Sequence, residues 1–181
     1  PADVGLASVA IGGVDIQNAS LSWTDGQAGQ SYRLQNLSAK TGPLAPGDPV
    51  ALTLGFDVSG GKPAISGRVD ASGTVISDIN AKTHRIDGLE LTANMTGKPF
   101  PNGALNAKLG ANILVDLAKQ VASMADLNVS TGQLSLSGKV DVTGLDAKPG
   151  YTGRIAVAPF NLRALMKDLG MAEVATADAN V

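Results

Sequence analysis

From Val50 to Val58 the residues Val50, Leu52, Leu54, Phe56 and Val58 hold one parity, and Ala51, Thr53, Gly55 and Asp57 hold the other. Alternation of this kind predicts a half-buried strand, because successive side chains of an extended chain point to opposite faces. It recurs from Ile65 to Ile79 through Val69, Ala71 and Val75. That run is about fifteen residues, roughly 50 Å at ~3.3 Å per residue, where strands usually reach ~17–20 Å. Gly67 and Gly73 inside it read as bends. Further strands are predicted at Leu89, Leu91, Ala93 and Met95, then at Leu105, Ala107, Leu109, Ala111 and Ile113. Two more follow at Leu134, Leu136, Val140 and Val142, and at Ile155 and Val157. Asp25-Gly26, Gly42-Pro43, Gly60 to Pro63, Pro99 to Gly103 and Lys148-Pro149-Gly150 punctuate them. Short turns between successive strands imply an antiparallel meander, since a parallel pair needs a long crossover.

Four short stretches share a loose form: Ile16 to Leu21, Leu34 to Ala39, Ile86 to Leu91 and Met124 to Val129. In each, the apolar parity slips by one across Asn18, Asn36, Gly88 or Asp126. A β-bulge does this, inserting a residue while keeping the apolar set on one face. One segment departs from strand periodicity. Asn161 can cap a helix with Leu162, Leu165, Met166 and Leu169 on one face and Gly170 as its stop, closing an end of the sheet. The expected fold is all-β: a long, curved antiparallel sheet, groove- or taco-like or an incomplete sandwich, with one short C-terminal helix. Residues 1–170 form a single domain, and 171–181 read as a flexible, Ala-rich tail.

Charge narrows the function classes. The formal net charge is −2, with 14 Lys/Arg and 16 Asp/Glu scattered singly, so nucleic acid is not an expected partner. The chain has no cysteine and one histidine, His84, with no second ligand type clustered beside it. His84 is expected as an exposed strand residue, and neither a metal nor a cofactor site is expected. No Gly-x-Ser-x-Gly elbow and no glycine loop opening a helix is present, so no enzymatic activity is expected. Asn-x-Ser/Thr tripeptides at Asn18, Asn36, Asn94 and Asn128 read as chance occurrences in a Ser/Thr-rich β sequence. The few aromatics argue against sugar platforms, base-stacking surfaces and the aromatic girdles of a membrane barrel. Trp23 and Tyr32 are expected to pair across the first turn.

What remains is an aliphatic stripe on every strand, to be covered by a second sheet, by the helix or by a ligand. Val50, Leu52, Leu54, Phe56, Ile65, Val69 and Val75 supply its first half. Leu89, Leu91, Leu105, Leu109, Leu134, Leu136 and Val140 supply the second. A lipid chain on such a surface gains ~0.8 kcal/mol per methylene, roughly 8 kcal/mol for about ten before ordering costs.

Two stretches carry a resemblance to a known family. Val14 to Asp25 with Tyr32 to Gly42 and Pro49 to Val58 forms the first; Gly153 to Gly170, with its Ala158-Pro159-Phe160-Asn161-Leu162-Arg163 core, forms the second. Together they resemble the carboxy-terminal part of the AsmA family of Gram-negative envelope proteins, with Leu162 where members often carry proline. The resemblance implies a curved sheet with an apolar groove, in the periplasm, within a larger protein anchored in the inner membrane by a segment absent here. The start at Pro1 agrees with such a fragment. It implies phospholipid or another acyl lipid as ligand, and a role in lipid movement between inner and outer membranes and in outer-membrane homeostasis. The alternative is a non-enzymatic scaffold for envelope assembly proteins, its apolar face sealed and its strand edges recruiting partners.

Overall fold

The computed structural model of the protein describes residues 12–171, apart from 46 and 147; the segment 172–181, expected as a tail, lies outside them. Nine strands follow one another: β1 (Asp15–Asp25), β2 (Gln30–Thr41), β3 (Val50–Gly60), β4 (Ile65–Asp78), β5 (Thr83–Gly97), β6 (Ala104–Asp116), β7 (Val121–Thr131), β8 (Leu134–Thr143) and β9 (Gly150–Val157). They form a single antiparallel sheet in the order β1 to β9, not closed on itself. Every strand therefore pairs only with its sequence neighbours, as short turns dictate. Among the described residues the sandwich form is not found, since all nine strands share one open sheet.

Three hairpin turns are built alike. Asp25, Asp78 and Asp116 end β1, β4 and β6, and each carboxylate accepts backbone N–H bonds from the turn: Gln27 at 2.8 Å, Ala81 at 2.8 Å and Lys119 at 2.8 Å. Each turn then closes on a left-handed residue, Gly29, Lys82 or Gln120, with φ of 59°, 55° and 56°. Aspartate suits the first position because its short carboxylate reaches back into its own turn.

The parity slips are bulges. Asn18, Asn36, Gly88 and Asp126 have φ of 54°, 50°, 58° and 51°. The strand register shifts at each of them, between Ile16 and Ala19, Gln35 and Ser38, Ile86 and Leu89, and Met124 and Leu127. Asn, Asp and Gly are the residues that tolerate this conformation. Asn112 ties two bulges together from the strand between them: its Oδ1 accepts from Gly88 N–H at 2.7 Å and its Nδ2 donates to Asp126 at 2.8 Å.

Gly67 does not break β4, whose pairing with β3 is continuous from Val50↔Val75 to Gly60↔Ile65. A Cβ there would collide with the Asn94 carbonyl oxygen and lie 2.7 Å from both the Cα and the sulfur of Met95, so Gly67 makes room for the β5 backbone and for that side chain. Gly73 does coincide with a register shift, opposite the β5 bulge. The helix forms as expected: α1 spans Leu162–Asp168, Asn161 Oδ1 accepts from Ala164 N–H at 3.0 Å, and Gly170 adopts φ 69°. Bonds from Gly170 to Lys167 and from Met171 to Met166 complete the C-terminal stop. Asn102, in the β5–β6 turn, donates to the Lys167 and Asp168 carbonyls at 2.8 and 3.0 Å, fastening the helix at that end of the sheet.

Candidate functional site

Cross-strand partners share a face, so the register can be followed across the sheet. Ile16 pairs with Ala39, then Leu54, Ala71, Leu91, Leu109, Val129, Leu136 and Val157. Each strand contributes one residue and every one is apolar. At ~4.8 Å between strands the row is roughly 38 Å long. A second row runs Val50, Val75, Ile86, Ile113, Met124, Val140 and Gly153. A third runs Phe56, Val69, Ala93, Ala107, Thr131 and Leu134.

Val50, Leu52, Leu54, Phe56, Ile65, Val69, Val75, Leu89, Leu91, Leu105, Leu109, Leu134, Leu136 and Val140 all fall on this one face, and all are half-buried. Among the described residues only Met95 and Ala111 are buried apolar side chains, and no large side chain is fully buried. Among the described residues no second sheet covers the face, and α1 sits at one end of it. Toward the edges exposure rises: Leu21 and Trp23 are 57% exposed, and Tyr151 is 69%. Trp23 and Tyr32 stack as expected, 5.8 Å between centroids.

The other face is polar. One residue along from the long row lie Asp15, Lys40, Thr53, Ser72, Glu90, Gly110, Asn128, Ser137 and Ala156. Arg68 bonds Asp70 at 2.7 Å and approaches Asp57 at 3.5 Å, and the Asp70 hydrogen bond raises the Arg68 pKa above its ordinary value. Arg85–Asp87 and Lys139–Asp141 repeat that i, i+2 pairing on the same face at 2.9 and 3.0 Å. Shallow depressions on this side, one of them lined by Lys40, Asp70, Ser72 and Glu90, mix both charges without converging on a ligand position. Among the described residues no cluster of His, Asp and Glu could hold a metal, and no helix is long and apolar enough to cross a membrane.

His84 corrects an expectation. It is half-buried and on the apolar face, its Nδ1 2.8 Å from Ser77 Oγ. The bulge at Gly88 explains this: before it the even residues His84 and Ile86 face the apolar side, after it the odd residues Leu89 and Leu91 do. The reading by strand also missed β7, whose Met124, Leu127 and Val129 belong to the face. Its signal was present as a bulge motif, but Asp126 splits the alternation into runs too short to read as a strand. Comparison with protein-family models, curated proteins and solved structures finds no match to the chain.

Proposed function

We propose that this domain is a lipid-binding groove segment of an AsmA-like periplasmic protein, supporting phospholipid movement between inner and outer membranes. One observation carries the reading: an unbroken apolar row crosses all nine strands and no second layer among the described residues covers it. In a globular sandwich that area would be buried against another sheet. Half-exposed, it favours contact with acyl chains, and a long row without polar side chains suits a ligand recognised by its methylenes. The two stretches that resemble the AsmA family point the same way. The scaffold alternative supposed a sealed apolar face, and the described elements do not seal it.

Native mass spectrometry of protein purified from bacterial envelopes tests the reading. Co-purified phospholipid is expected, and Leu109→Asp should lower it at least about tenfold, the loss that ~1.4 kcal/mol of binding represents. Lys108→Ser, one residue away on the polar face, should leave it unchanged. Protein that carries no phospholipid, or equal loading of both variants, would remove the reading.

A further inference from the structure

The two edges of the sheet are not equivalent. β1 is bulged at Asn18 and its register with β2 shifts twice, between Ile16 and Ala19 and between Ala19 and Leu21. Bulges of this kind blunt an edge against strand addition. β9 pairs with β8 in unbroken register from Leu136↔Val157 to Thr143↔Gly150, contains no proline, and is exposed along its length. Ala158 N–H donates to Ser135 O at 2.8 Å. By the two-residue period of an antiparallel strand, Thr152, Arg154 and Ala156 also bond inward. Gly153, Ile155 and Val157 therefore present their N–H and C=O groups outward.

The charges beside this edge are incomplete. Arg154 is the cross-strand partner of Lys139, a like-charge pair that is unfavourable in a sheet. Lys139 is neutralised by Asp141 at 3.0 Å, whereas Arg154 has no hydrogen-bond or ion-pair partner among the described residues. A carboxylate on the next strand would complete the row Lys139–Arg154. A second copy supplies none by antiparallel addition: with the apolar faces on one side, β9 meets β9 of that copy, and Gly150–Val157 contains no acidic residue.

We propose that the β9 edge is a strand-acceptor site for an extended segment of a partner protein. That segment would add antiparallel to β9, with aliphatic residues on the apolar side and a carboxylate opposite Arg154. The site is separate from the lipid reading, because it uses the backbone edge and the polar face.

Fluorescence anisotropy with the full chain tests it, using labelled ten-residue peptides of alternating valine and threonine. Their central polar position would be Glu, Gln or Lys, and a fourth peptide would carry a central proline. The Glu peptide should bind roughly two- to fivefold more tightly than the Gln peptide, the range of an opposite-charge cross-strand pair, and the proline peptide should not bind. Arg154→Glu should invert the order in favour of Lys. Ile155→Pro, which removes an outward donor but no bond to β8, should abolish binding with an unchanged far-UV circular dichroism spectrum. Peptide binding that survives Ile155→Pro places the site elsewhere and overturns the proposal. So do binding without charge preference, absence of binding, and self-association of the chain that Ile155→Pro abolishes.

Discussion

Leu91 and Glu90 are neighbours in β5, yet they belong to rows of opposite chemistry. The Leu91 row is apolar through all nine strands; the Glu90 row is polar or small through the same strands. The face that carries the polar row is exposed to solvent and holds i, i+2 ion pairs beside the row, each contributing ~0–1 kcal/mol at the surface. The apolar row has only its neighbours within the same layer. In this sheet, cohesion comes from strand pairing and from packing along rows, while the free energy of covering the apolar side is left for a ligand.

The contrast is broken most sharply at Met95 and Asn94. Met95→Ala removes one of the two apolar side chains buried among the described residues and should cost about 2–4 kcal/mol in urea unfolding. Asn94→Ala, on the exposed polar side, should stay within about 0.5 kcal/mol. Equal costs would mean that the faces do not differ in packing.

A smaller effect is expected where the two faces are kept in phase. Gly88→Ala places a Cβ at φ 58° and should cost about 1 kcal/mol, while Gly88→Asn, the residue that stands at the bulges in β1 and β2, should cost less. Thermal unfolding of the two variants measures the difference, and a cheaper alanine would argue against the bulge.

The smallest effect belongs to the polar side and to acid. The Lys119 ammonium, 2.8 Å from Asp116, and the Lys119 N–H hold the Asp116 carboxyl below the ordinary carboxylate range. The native form therefore binds fewer protons than the unfolded form. Its contribution is complete above the ordinary pKa of ~4 and fades as pH falls through the lower native value. Asp116→Asn should flatten the urea stability profile in that acid range and leave only a constant offset from about pH 5 to about pH 7, where the carboxyl is ionised in both states.

Most of the sheet could be read from the sequence because a single layer with one wet side imposes strict alternation. Val50 to Val58 shows it without interruption and Ile65 to Val75 with glycine at two apolar positions, and both are strands. The bulges were legible too, since Asn18, Asn36, Gly88 and Asp126 each mark a slip in parity. Two things were hidden. β7 was obscured by its own bulge, which leaves two apolar residues on either side. The side to which His84 points depends on counting across Gly88 from the far half of β5. Arg154 could not be singled out at all: a lone arginine in a strand says nothing until its neighbour is known to be Lys139 and no described strand lies on its other side.

The meander has a consequence for how such a domain can change in size. Because no described strand pairs with any but its sequence neighbours, adding or deleting one hairpin alters no other pairing, provided that it preserves parity. Each inserted hairpin would lengthen the apolar row by two strand spacings, roughly 10 Å, and would displace neither turns nor bulges elsewhere. Growth of this surface is modular, as it is in repeat proteins whose units meet only the units beside them, so its span can be set by duplication of short coding segments.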